Sequence, residues 1–346
     1  MKRWLVLCGA AFVAAAVMAI PAAATSSYVI VYNNIPTPTP ANVPSVGAEA
    51  YAFNELGGQV HFAGTNRRNP SVTVLMSSWG CQTGNWYSNN CSTTPGSGFT
   101  LPITLNVYTV RSGNAVGYQI ATETQTFKIP YRPSADPVNC TGGNAGKWFN
   151  SANSTCYNGY ATPITFTLAG KVLPSNVIVS VAYNTSHYGY APYGENTACY
   201  PSSGGCGYDS LNIGLIDNTA YPTEPSTGSD PTPNGVYQNS SIGGEYCDGG
   251  AGGTGTFRFD DGCWAPYQPA FRISAVKPGG ICHVPNIIGM TIPAAKAAIK
   301  SNNCTVGTVT KVDTGPAPHT YIVTSQRPAA GTSLQQPGYV SFTAKG

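Results

Sequence analysis

The sequence predicts a mainly β protein: a β-sandwich region of immunoglobulin-like or jelly-roll type over residues 25–276, then a small α+β unit over 282–346. Three observations lead there. Apolar and polar side chains alternate with period two in many short runs, as in half-buried strands. Gly (40), Pro (28) and Tyr (21) are abundant and charged residues make only 9 % of the 346, against roughly 25 % in an ordinary soluble domain. Such a chain is turn-rich, while its 42 % hydrophobic content still builds a core. Finally, ten cysteines beyond the leader fall into five neighbouring couples, as in a stapled exported fold.

The leader comes first. Lys2 and Arg3 precede an apolar stretch over residues 4–20, and Ala22-Ala23-Ala24 offer a small-residue cleavage site, so residues 1–24 read as a secretory signal peptide. Pro21 and the alanine triplet end the segment as a peptidase site does. No other stretch is apolar for the ~18 residues a spanning helix needs, so no retained membrane span is expected. Of the formal net charge of +3, Lys2 and Arg3 lie in the leader, and Arg67-Arg68 is the densest basic spot after it. Nothing in that balance suggests a nucleic-acid partner, and none is expected.

The strands follow in order. Runs lie at residues 28–32, 59–62, 72–76, 126–129, 211–215 and 271–275. Clear alternation occurs at Ile103, Leu105 and Val107, at Ile164, Phe166 and Leu168, and at Val177, Val179 and Val181. No convincing helix interrupts them, which favours a sandwich. Residues 35–44 and 218–239, rich in Pro, Thr and Ser, read as long surface connections.

Pairing within each cysteine couple is expected: Cys81 with Cys91, Cys140 with Cys156, Cys199 with Cys206, Cys247 with Cys263, and Cys282 with Cys304. Sequence alone does not fix connectivity. Each such short loop contributes about 3 kcal/mol in the loop-entropy account. Without a CxxC and with four His, no metal or cofactor is expected. A weak repetition accompanies the couples. Gly84-Asn85-Trp86-Tyr87 lies inside the first and Gly146-Lys147-Trp148-Phe149 inside the second, and Pro-Ile-Thr follows each at residues 102 and 163. Residues 247–263 form a looser third copy around Phe257-Arg258-Phe259. The region is therefore read as one elaborated sandwich or two immunoglobulin-like modules.

After a linker over residues 277–281 the pattern changes. Thr291 can cap a helix with Pro293 in its first turn and Ala294, Ala295, Ala297, Ala298 and Ile299 along it. Asn302-Asn303 ends it, and strands are expected over residues 306–312, 321–325 and 339–343.

These residues carry a resemblance. Val284-Pro285-Asn286-Ile287-Ile288-Gly289-Met290-Thr291, the alanine-rich helix, Val306-Gly307-Thr308-Val309, the run from Val323 through Gln326-Arg327-Pro328 to Gly331-Thr332, and Pro337-Gly338 resemble a PASTA domain. That module is found outside the membrane on penicillin-binding proteins and bacterial serine/threonine kinases. The resemblance implies an extracytoplasmic protein of a Gram-positive-like bacterium, secreted or cell-wall associated, with peptidoglycan or another wall glycan as partner, or else a spacer role. Cys304 departs from the family, standing where an apolar residue is usual; a bond to Cys282 would tie the first strand to the helix end.

Catalytic constellations are absent from the sequence. No HExxH, HxH, Gly-x-Ser-x-Gly or phosphate-binding loop occurs, and the glycine run at residues 249–253 lacks the Lys and helix that phosphate binding needs. Asp209, Asp217, Glu245, Asp248, Asp260 and Asp261 are carboxylates from which a glycosidase pair could be drawn, and Asp260-Asp261-Gly262 reads as a turn or a calcium ligand. The positive signal is aromatic. Trp79, Trp86, Trp148 and Trp264 all sit in or beside cysteine loops, with Tyr87, Phe149 and Tyr267 nearby. Trp86, Tyr87, Trp148, Phe149 and Trp264 are the candidate ligand-binding residues, since sugar rings stack on flat aromatic faces; the competing expectation is that the rings pack on the cystines. A looser tyrosine cluster lies over residues 183–193. The expected function is a non-enzymatic, secreted, wall-associated protein whose sandwich region binds glycan or protein. A carbohydrate-active enzyme with the tail as targeting module is the alternative, and a freely released surface-layer component a third.

Overall fold

β-Branched and aromatic residues alternating with polar ones extend into strands wherever one face can be buried. The computed structural model describes residues 28–84, 86, 88–184, 211–277, 282–315, 318, 320–334 and 338–346. The leader, Tyr87, the Cys199 and Cys206 couple, most of the tyrosine cluster and residues 278–281 of the linker lie outside the described residues.

In chain order the sandwich region holds β1 (Tyr28–Asn33), β2 (Ser45–Gly47), the single turn α1 (Ala48–Tyr51), β3 (Glu55–His61), β4 (Arg68–Ser78), β5 (Gly98–Val110), β6 (Val116–Pro130), β7 (Trp148–Asn150) and β8 (Thr155–Tyr157). β9 (Tyr160–Thr167), β10 (Asn176–Ala182), β11 (Leu211–Asp217), β12 (Gly235–Gln238), β13 (Arg258–Asp261), β14 (Tyr267–Pro269) and β15 (Phe271–Val276) follow. They make two principal sheets. One runs β1-β15-β4-β11-β14, with β9 along the other side of β4 and β2 on β11; the second runs β13-β12-β3-β10-β5-β6. The first strand pairs with the last, Tyr28 opposite Val276. A main core drawn from Val31 to Ala275, including Phe53, Ile103, Phe166, Val179, Ile213 and Phe271, fills the space between the sheets, and a smaller cluster gathers Ile35, Val43, Leu75, Ile216 and Ala270.

Two elements differ from the sequence expectation for physical reasons. β6 runs for 15 residues, far beyond 126–129. It is an edge strand whose polar residues, among them Thr122, Glu123 and Thr124, face solvent, so apolar runs do not reveal it. β10 was expected to be half-buried, yet Ile178 and Ser180 are as buried as Val177, Val179 and Val181. It is central, between β3 and β5, and its outer face is covered as well.

Four of the expected disulfides form: Cys81–Cys91, Cys140–Cys156, Cys247–Cys263 and Cys282–Cys304. The first two close loops that pack on each other. Gly146 sits at φ 81° with its missing Cβ only 2.0 Å from Asn89 Oδ1, so any side chain there would drive the loops apart. The buried guanidinium of Arg132 donates to the Gly146 carbonyl, while its own backbone N–H donates to Gly80.

The tail contains β16 (Cys282–His283), α2 (Ile292–Ser301), β17 (Thr305–Val312), β18 (Ile322–Arg327), β19 (Ser333–Leu334) and β20 (Tyr339–Lys345). β20 lies between β17, to which it is parallel, and β18, to which it is antiparallel. Thr291 caps α2, its hydroxyl accepting the Ala294 N–H at 3.4 Å, and Asn303 at φ 57° turns the chain out of the helix. Ala295 and Ile299 enter a separate core with Val284, Ile287, Val323, Val340, Phe342 and the Cys282–Cys304 bridge.

Candidate functional site

The Cys247–Cys263 loop holds a buried carboxylate at its base. Asp260, on β13 opposite Val236, is 1 % exposed. One oxygen accepts the Cys247 backbone N–H at 2.9 Å; the other accepts Gln238 Nε2 and the Trp264 indole N–H, each at 2.7 Å. A buried carboxylate with three donors is an organising group, since removing a partner would leave costly desolvated charge. Asp260 therefore belongs to a strand and not to the turn its sequence promised. Cys247, Asp260 and Cys263 bring metal-ligand atom types within 4.8 Å, but the sulfurs are bonded to each other and both carboxylate oxygens are occupied, so the trio does not suit a metal.

Asp260 fixes the Trp264 ring at the edge of a cleft of about 510 Å³. Tyr51 from α1, Tyr246, Trp264, Tyr267 and Glu245 line it. The Tyr51 and Trp264 ring centroids are 6.4 Å apart at 38°, and Tyr51 and Tyr267 remain 37 % and 36 % exposed. Tyr246 is anchored, its hydroxyl donating to the Ser240 carbonyl at 3.0 Å with the Arg258 guanidinium 4.0 Å over its ring. Burial pushes the Tyr246 phenol above its ordinary range. Ser240 also donates to the Tyr51 carbonyl, which ties α1 to the same loop. The arrangement offers aromatic faces around a carboxylate, a chemistry suited to stacking and polar recognition.

The other expected binding residues do not converge on this cleft. Trp148 is 5 % exposed, packed against Tyr157 and Tyr160 at 5.4 and 5.7 Å, and donates its indole N–H to Gly159. Phe149 is half-buried beside it on β7. Trp86 is half-buried and meets Trp79 edge-to-face at 5.1 Å. Trp86 and Trp148 thus belong to the paired loops, where they pack on other aromatic rings, and of the candidates among the described residues only Trp264 lines the cleft. Sequence reasoning missed Tyr51 and Tyr246 as cleft residues; Glu245 was among the candidate carboxylates, and the fold brings it to the cleft. Neither Tyr51 nor its short turn has a cysteine nearby in sequence, and only the fold joins it to Trp264.

A second polar cluster lies on the outer face of the β3-β10-β5 strands. Glu55 Oε1 accepts from Asn106 at 3.0 Å, Tyr108 at 2.9 Å and Ser180 at 2.6 Å. Burial, then the Glu55 charge and its hydrogen bond, hold the Tyr108 phenol well above its ordinary range. This network explains how β10 buries Ser180.

Comparison with known families assigns the tail. Residues 283–344 match the PASTA domain. The tail is a PASTA domain. Its most recognisable stretch is scaffold: the Gln326 side chain accepts the Ile287 N–H and donates to the Pro285 carbonyl, clamping the opening segment to β18. No curated protein and no solved structure matched the chain. The PASTA domain and the disulfides fit an extracellular or cell-wall-associated protein. Among the described residues no helix is long and apolar enough to cross a membrane.

Proposed function

We propose that this is a secreted, non-enzymatic binding protein of the bacterial cell wall, in which the PASTA domain contacts peptidoglycan and the sandwich cleft takes a glycan. The observation that carries the glycan reading is the cleft itself: Tyr51, Trp264 and Tyr267 on its walls, with the tryptophan locked by Asp260. Rings immobilised before binding lose little further freedom on contact with a flat sugar face. The binding role is favoured over glycoside hydrolysis because that reaction in its common form uses two carboxylates. Glu245 is the one acidic residue among the described residues lining the cleft, and Asp260 behind it has both oxygens engaged.

Calorimetric titration of the mature protein with soluble wall and plant oligosaccharides tests the cleft. Tyr267→Ala should weaken a productive ligand roughly tenfold, the loss of one aromatic contact; unchanged affinity removes the cleft from the binding site. Co-sedimentation of the full chain with insoluble peptidoglycan tests the PASTA contact, and complete recovery in the supernatant sinks it. Release of reducing ends from any of these glycans would favour the enzyme reading instead.

A further inference from the structure

The charge pattern of the cleft narrows its ligand further. Four aromatic residues and Glu245 line it, and among the described residues lining it there is no Lys, Arg or His. The Glu245 carboxylate is half-buried and is not engaged in an ion pair or hydrogen bond with any described residue. The one cation of the loop, Arg258, is already engaged: its guanidinium pairs with Asp248 at 2.8 Å, its Nε donates to the Gly253 carbonyl at 2.7 Å, and its plane covers one face of Tyr246, which leaves Tyr51, Trp264, Tyr267 and Glu245 to meet a ligand. Aromatic faces carry negative quadrupole density, so rings and carboxylate together attract positive charge.

The backbone that carries this carboxylate is also held to the rings. Gln238 Nε2 donates to Asp260 at 2.7 Å and to the Glu245 carbonyl at 2.9 Å, while Asp260 accepts the Trp264 indole. One buried amide and one buried carboxylate thereby set Glu245 and Trp264 in a single frame, stapled by Cys247–Cys263. From this frame we infer that the cleft selects a glycan bearing a free protonated amine, an unacetylated amino sugar, over its neutral acetylated counterpart and over acidic sugars. The ammonium group lies against the aromatic faces and the Glu245 carboxylate while a sugar face stacks on the exposed tyrosines. This inference rests on the reading of the cleft as a glycan site.

Titrating the mature protein with soluble oligomers of glucosamine and of N-acetylglucosamine, matched in length, separates the two. The glucosamine oligomer should bind roughly tenfold tighter at low salt, the effect of one partly desolvated charge contact. That advantage should shrink as salt is raised. Glu245→Gln should lower the affinity for the glucosamine oligomer toward the acetylated value and flatten its salt dependence, with an unaltered circular dichroism spectrum. Equal affinities, tighter binding of the acetylated oligomer, or no effect of Glu245→Gln overturns the amine selection while binding itself keeps the glycan site. Failure of both oligomers and of the wider glycan set to bind overturns both readings.

Discussion

Asp230 gives a quantitative test of how this fold treats charge. It lies in the long connection before β12, with its carboxylate accepting the Thr232 N–H at 2.8 Å and the Thr232 hydroxyl at 3.4 Å. Burial outweighs those bonds and raises its pKa from 3.8 to about 6. The folded state therefore holds the proton more tightly than the unfolded chain. The fold has its full share of stability from this group below pH 3.8, loses it as pH rises to about 6, and stays flat above. A displacement of about two pH units corresponds to about 3 kcal/mol at neutral pH. Asp230→Asn keeps an oxygen for the Thr232 N–H and removes the charge. It should stabilise the sandwich by up to about 3 kcal/mol at pH 7 and by nothing near pH 3.8. Denaturant unfolding of both proteins at pH 3.8, 5, 6 and 7 reads the difference directly. A gain that is equal at every pH, or a loss at pH 7, refutes the burial argument.

Three other expectations follow from the packing. Trp148→Ala should cost 3–5 kcal/mol, roughly the loss of a buried indole, with no change in cleft binding, as measured by denaturation and titration. Glu55→Ala strands the buried Ser180 and Asn106 donors and should cost about 2–4 kcal/mol, whereas Glu55→Gln, which keeps an acceptor, should cost less; equal losses would show that the donors find other partners. Replacing both Cys247 and Cys263 by Ser opens a loop of 16 residues' separation and should cost about 3 kcal/mol. Trp264 fluorescence should shift to the red as the ring loosens, and an unshifted spectrum would show that Asp260 alone holds it.

The sheets were legible because alternation reports burial on one face. Ile103, Leu105 and Val107 read as a strand and enter the core. β6 escaped because an edge strand buries little, and the outer face of β10 escaped because its cover is supplied by polar partners of Glu55 from distant strands. The PASTA fold was legible residue by residue, from the Thr291 cap to the Cys282–Cys304 bridge. The cleft was half legible. Trp264 declared itself beside a cysteine, but 213 positions separate it from Tyr51, and no local pattern reports a contact made by folding. Trp148 and Trp86 show the converse: an identical local setting of tryptophan within a cysteine loop produced packing, because there the two loops lie against each other.

The pairing of β1 with β15 sets an order on assembly. The sheet's opening strand finds its partner only when residues 271–276 are available, so no N-terminal portion of the sandwich can complete that sheet while the chain is still emerging. Contacts so distant in sequence form late and slowly. Under the export proposed above, this delay keeps the polypeptide threadable until residues 271–276 have crossed, and closure then coincides with arrival where its cysteines can oxidise.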